Sequence, residues 1–387
     1  MSSQASYLSP EQLQSDLGVR DLSDPAAGPH AIQILVDRAV ASLAAAWRCE
    51  VRWHRGPRIV PIADNYDRLG YPAEAITRDA RYTRYVDGGR MLRSHSTAQV
   101  PAALRHLAAH PGEDVLLACP GMVYRRDAID WQHTGTPHQL DLWRITRRPM
   151  TDTDLDQMIA ILLGALAPGL DHRQEPRVHP YTLRGRQVDI RENDRWVEVW
   201  ECGLAHPGVL AAAGLADRAG LALGMGLDRL VMLAKGIADI RLLRSADPRV
   251  ASQMLDLAPY RPVSSMPAIA RDLSVAVWAD DDQETIGDRV RDALGAAARC
   301  VEEVRVLSST AYDQLPEPAI ARLGARPGQQ NLLVRVVLRD LDATLTNEAA
   351  NALRDRIYRA VHQGTRYQWA GAGPRPREPA ARATVAG

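Results

Sequence analysis

The chain has 387 residues, 46% of them hydrophobic, enough for two or three ordinary cores. Its 47 basic and 47 acidic residues cancel, which excludes a global basic excess, so any RNA contact must be a local patch. Cys49, Cys119, Cys202 and Cys300 lack metal-ligand spacing and no apolar run reaches about 18 residues, so the expectation is a cytoplasmic chain with free thiols, no membrane span and no secretion signal.

Residues 1–30 are polar, with Pro25 and Gly28, and read as a short lead-in. Next, Ile32, Leu35, Val36, Ala39, Val40, Leu43 and Ala46 recur at helical spacing and predict an amphipathic helix over Ala31–Trp47, then a strand over 49–53 and a break at Gly56-Pro57. The polar run Arg93-Ser-His95-Ser-Thr97 fits a hydrogen-bonded turn as well as a site wall. Gly121 to Asp141 reads as two strands joined by a polar loop. Because residues spaced by two share a face, Arg125 and Gln139 are expected on one sheet surface.

In Gly220-Leu-Ala-Leu-Gly224-Met-Gly226-Leu-Asp-Arg229, the glycines leave no side chain above the backbone, so a planar or phosphorylated ligand could lie close, with Arg229 at the start of a helix. A glycine-rich turn packed in a core fits the same letters. Prolines in 258–263 mark a linker. Beyond it, strands over 271–277, 301–307 and 332–338 and helices over 284–294 and 346–361, the latter with Ala350, Leu353, Ile357 and Val361 on one face, give a β-α-β-β-α order one strand short of a split-βαβ domain. The tail 365–387, rich in Pro, Gly, Ala and Arg, reads as disordered.

Gly224-Met-Gly-Leu-Asp-Arg229-Leu resembles motif 3 of the class II aminoacyl-tRNA synthetases, and Trp196 to Arg241 is similar to the catalytic part of the phenylalanyl-tRNA synthetases. Asn65-Tyr66-Asp67, Arg78-Asp79, Met91-Leu-Arg-Ser-His95-Ser-Thr97 and the motif 2 region Gly121 to Asp141 extend the likeness. Met266 to Leu273 and Thr344 to Asn351 resemble the family's ferredoxin-like anticodon-binding domain. The resemblance covers about residues 31–363. It implies an α+β fold, with a class II antiparallel sheet core flanked by helices over 31–257, a linker over 258–265 and a ferredoxin-like split-βαβ domain over 266–364, arranged as in the single-chain organellar type.

By the same resemblance, the chain activates phenylalanine with ATP and Mg2+ and transfers it to tRNA, as a monomer or homodimer. Arg125 and Arg229 carry the catalysis, and Arg125, Asp127, His133, Pro137 and Arg229 hold ATP. His95, Thr97, Gln139, Asp141, His179, Tyr181, Leu221, Ala222 and Leu223 hold the amino acid, and Glu198 is the metal ligand. Arg271, Arg335 and Arg339 are tRNA-contact candidates, although arginine on a strand also reads as a solvated face. Helix 31–47 stands where motif 1 builds a dimer face, or it is a core helix.

The departures are as informative. The chain has no phenylalanine, where on the order of a dozen would be usual, yet it has 11 tyrosines, whose codons are as AT-rich. Family phenylalanines become Tyr66, Pro137, His179, Tyr181, Leu221 and Leu223; the usual Glu of the motif 2 return strand is Asp141. Polar edges at His179 and Tyr181 favour a hydroxylated or ring-substituted substrate, unless both tips find protein partners. The missing phenylalanine further suggests synthesis when charged phenylalanyl-tRNA is scarce. A non-catalytic RNA-binding paralogue is the remaining reading, and the retention of Arg125, His133, Gln139 and Arg229 weighs against it.

Overall fold

The computed structural model describes residues 7–79, 82–126, 128–263 and 266–367. Residues group into two compact units, 1–266 with 341–343, and 267–340 with 344–387.

The first unit is built on a seven-stranded sheet. Twelve strands occur in the described residues: β1 Glu50–Trp53, β2 Ile59–Pro61, β3 Arg90–Leu92, β4 Asp114–Met122, β5 His138–Thr146, β6 His172–Pro176, β7 Thr182–Glu192, β8 Arg195–Ala205, β9 Ala219–Gly226, β10 Ile269–Trp278, β11 Val301–Ala311 and β12 Gln329–Leu338. The large sheet runs β1-β4-β5-β9-β8-β7-β6, and only the β1–β4 edge is parallel. β2 and β3 form a separate two-stranded ribbon.

Helix Ala31–Trp47 has the bounds its spacing predicts. It starts where the His30 ring accepts the Ile32 N–H, and it buries Ile32, Leu35, Val36, Ala39, Val40 and Leu43; Ala46 is exposed. With helices Asp152–Leu166 and Leu227–Lys235 it covers one sheet face, so the apolar stripe is spent on the chain's own core. Each buried leucine there contributes about 1.5–3 kcal/mol.

The opening segment is more than a lead-in. Ser9 and Gln12 form a reciprocal capping box at the start of helix Pro10–Gly18. Leu22 is buried, and the Asp21 carboxylate accepts the Met122 N–H at the end of β4. Leu257 and, within the expected linker, Tyr260 and Val263 pack against the main core; the lone lysine, Lys235, is buried and donates to the Asp256 and Ala258 carbonyls.

The second unit is a sheet in the order β10-β12-β11, all antiparallel, with helices Gln283–Leu294 and Asn347–Val361 following β10 and β12. This is the expected β-α-β-β-α sequence with an added short helix, Glu317–Leu323. Most of the tail, 368–387, lies outside the described residues. No helix among the described residues is long and apolar enough to cross a membrane, and the four cysteines are unpaired.

Candidate active site

Strands β4, β5, β9 and β8 place a cavity of about 600 Å³ on the sheet face opposite the long helices. β4 and β5 pair Gly121 with Gln139, and the ladder continues past the strand ends through Val123 N–H to Pro137 O (2.8 Å) and Arg125 N–H to Gly135 O (3.0 Å). Arg125 therefore sits in the connecting loop but on the face of Gln139, and both line the cavity. Its Nε donates to Ser94 O (3.0 Å), which aims the end of the guanidinium.

Arg229 enters from the first turn of helix Leu227–Lys235, immediately after β9, and lines the same cavity. Its Nη2 donates to His133 Nε2 (3.1 Å), while His133 Nδ1–H donates to Asp130 (2.6 Å). The tautomer is assigned from these partners. Glu198 faces the cavity with no hydrogen bond to its carboxylate among the described residues. Burial, then neighbouring Glu201, raises its pKa above the usual carboxylate range.

The glycines of the strand-to-helix run divide their roles. A side chain at Gly220 would strike Arg144 O on β5, so that position serves packing. At Gly226 nothing stands within 4 Å, and the open space belongs to the cavity.

At the other end, Asp141 is enclosed between β4 and β9. Ser96 Oγ and Trp143 Nε1 (3.3 Å) donate to its carboxylate, and Ser96 N–H donates to Gln139 Oε1 (3.0 Å). Desolvation outweighs these bonds and pushes the Asp141 pKa up to about 6. The His95 Nε2 lies between Asn65 O (3.0 Å) and Asn65 Nδ2 (3.3 Å), and burial, then Arg125, lowers its pKa to about 3. His179 stacks on Tyr181, with centroids 5.1 Å apart, and shares Glu201 with Arg177.

The family description "tRNA synthetases class II core domain (F)" matches residues 26–254. The chain belongs to this class II synthetase family. It is 32% identical over 201 residues to a phenylalanine–tRNA ligase alpha subunit of Nostoc punctiforme, covering 51% of this chain and 59% of that subunit's length. It is 29% identical over 316 residues to a chloroplastic/mitochondrial phenylalanine–tRNA ligase of Arabidopsis thaliana, covering 77% and 68%. A mitochondrial phenylalanine–tRNA ligase of Mus musculus shares 26% over 347 residues, covering 79% and 72%. The chain thus spans less than two thirds of the bacterial alpha subunit it matches.

Of the residues expected in this synthetase site, Arg125, Arg229, His133, Pro137, Gln139, Asp141, His95, Thr97, His179, Tyr181 and Glu198 line the one cavity. Asp127 lies outside the described residues. Leu221 and Leu223 require correction: strand alternation turns both to the helix-covered core, away from the cavity. Ala222, between them, faces the other way and packs in the small core with Trp143, against which Tyr181 lies.

In the second unit, Arg335 forms a two-pronged pair with Asp272 (2.7 Å each) and Arg339 pairs with Glu302 (2.5 Å). Among the described residues Arg271 meets only neutral partners, Asn351 Oδ1, Asn347 Oδ1 and its neighbour's carbonyl. Sequence reasoning missed Ser96, Asp130, Tyr71 and Glu201. Ser96 alone carried a signal, standing between two residues already assigned to the site.

Proposed function

We propose that this chain is a phenylalanine–tRNA ligase, which joins phenylalanine to ATP as the aminoacyl-adenylate and passes the acyl group to tRNA. The observation that carries the reading is the convergence of Arg125 and Arg229, far apart in sequence, on one cavity that also holds Gln139 and Asp141. The ligase names of the relatives agree with it.

In the first step the substrate carboxylate attacks the α-phosphorus of ATP; a carbon-bound oxygen gains phosphorus and pyrophosphate leaves. Both partners are anions, so Arg125, with Nε fixed on Ser94, neutralises their approach. Arg229 and His133 hold the nucleotide, and Gln139 and Asp141 receive the ammonium group. The carboxylate is already ionised, so positioning and charge neutralisation suffice without a general base. In the second step a terminal ribose hydroxyl of tRNA displaces AMP.

Among the described residues no cluster of three or more His, Cys, Asp or Glu could hold a metal. Magnesium would therefore be held mainly by phosphate oxygens, neutralising them, with Glu198 as the protein ligand. Its unpaired carboxylate, destabilised beside Glu201, fits a cation. Among Arg271, Arg335 and Arg339, Arg271 is the better tRNA contact, because no carboxylate among the described residues neutralises it. The working form is a monomer or homodimer.

ATP–pyrophosphate exchange with phenylalanine, followed by transfer to tRNA, tests the proposal. Exchange that Arg125→Ala lowers by about 10²–10³ supports it. No exchange in the intact chain overturns it and favours the non-catalytic reading.

A further inference from the structure

The wall of the cavity around Tyr71 contains a polar atom that the fold does not use. Tyr71 sits among Tyr66, His95 and Tyr181, with ring centroids at 5.7, 5.9 and 6.2 Å. Around it, the other polar tips are committed. The Tyr66 hydroxyl lies on Thr77 O (2.7 Å) and Thr83 Oγ1 (2.6 Å). His179 Nε2 is held by Glu201 (2.6 Å), and Thr97 faces the Tyr181 hydroxyl.

The Tyr71 hydroxyl differs: it has no hydrogen-bond partner among the described residues, although the ring lines the cavity and burial pushes its pKa up to about 12. His95 Nδ1 also lacks a partner among the described residues, but it is closed to solvent and so out of a ligand's reach. The wall therefore offers one unused hydroxyl, and a hydroxyl on the ligand's ring is the chemistry that answers it, since either group can donate to the other.

We propose that Tyr71 makes this site select an aromatic amino acid whose ring carries a hydroxyl, so that phenylalanine is a substrate but an inferior one. The inference rests on the adenylate-forming reading above and changes only the ring of the amino acid. An unsubstituted ring would desolvate the Tyr71 hydroxyl and return no bond, whereas a ring hydroxyl accepts from Tyr71 Oη. Sites built to bond a substrate hydroxyl reject the analogue lacking it far more strongly than apolar pockets reject an added one.

The test is ATP–pyrophosphate exchange by the full chain with L-phenylalanine, L-meta-tyrosine and L-para-tyrosine, before and after Tyr71→Phe. The expected result is a kcat/KM for at least one hydroxylated amino acid about tenfold or more above that for phenylalanine, with the ratio collapsing by a similar factor in Y71F. Because Tyr71 Oη holds nothing in the fold, the thermal midpoint of Y71F should match the parent. Phenylalanine as the best substrate, or a ratio that Y71F leaves alone, overturns the inference and leaves the adenylate reading standing. No exchange with any of the three defeats both.

Discussion

Arg229 Nη2 lies 3.1 Å from His133 Nε2, and Asp130 grips the other nitrogen of the same ring at 2.6 Å. Asp130 is thus a positioning residue for an arginine it does not touch. Its carboxylate is kept low despite burial by the hydrogen bond from His133 and by the N–H groups of Gln132 and His133. Asp130→Asn can keep the turn, but its amide N–H opposes Nδ1–H and forces the ring into the other tautomer, with Nε2–H facing Arg229. The expected outcome is a KM for ATP raised about tenfold to a hundredfold, the worth of a charge-assisted bond, with the amino-acid KM changed less. Equal ATP constants in the two proteins would break the proposed chain from Asp130 to Arg229.

Asp141 should set the acid limb of activity. Its folded-state pKa is about 6, against 3.8 for the unfolded group, because burial outweighs the bonds from Ser96, Thr97 and Trp143. Above pH 6 the carboxylate is charged and can hold the substrate ammonium, so kcat/KM for the amino acid should fall as pH drops through about 6. Asp141→Asn should lose that limb and most of the activity. For stability the sign is reversed: a raised carboxyl stabilises the fold when protonated and loses that contribution as pH rises through 6. D141N should therefore melt higher than the parent at pH 8, and the gap should close on acidification.

Much of this site was legible where the sequence period matches the backbone. Helix Ala31–Trp47 follows from its spacing, and Arg125 and Gln139 share a face because the β4–β5 ladder stays in register to the loop. Leu221 and Leu223 were assigned to the site by family resemblance, although strand alternation on either side of Ala222 turns both into the helix-covered core. Glu201 was invisible for the opposite reason. Glu198 and Glu201 are three apart and should face opposite sides of a regular strand, yet both line the cavity. A register shift in the β7–β8 pairing, near Val199, restores a common face. Bulges and caps such as Ser9–Gln12 depend on single residues and leave no periodic trace.

Asp228 should be a stability residue as much as an aid to its neighbour Arg229. It is buried and accepts both the backbone N–H and the Nδ1–H of His138 (2.5 and 2.9 Å). His138 Nε2 in turn accepts the Leu22 N–H and the Arg244 Nη2, at 3.0 and 3.1 Å. Removing the carboxylate leaves buried donors unpaired and Arg244 with Asp21 as its remaining facing charge. Asp228→Ala should cost about 3–5 kcal/mol, read as a lower urea midpoint at unchanged slope. A loss below about 1 kcal/mol would mean that the network is solvated.

Without phenylalanine, the core fills its large aromatic positions with tyrosine and tryptophan. The largest fully buried aromatic side chains are Trp143, Trp200, Tyr66, Tyr124 and Tyr358. Phenylalanine would need no polar partner at such sites, whereas Tyr66 needs Thr77 and Thr83, Tyr124 needs Asp16, and Trp200 Nε1 finds none among the described residues. A chain that carries these polar tips in its core gains independence from charged phenylalanyl-tRNA, the product proposed for it. With phenylalanine restored at Tyr66, Tyr181 and Leu223, its accumulation should fall relative to the parent when cells are limited for phenylalanine and match it when they are not. Equal accumulation under limitation would remove the link between composition and activity.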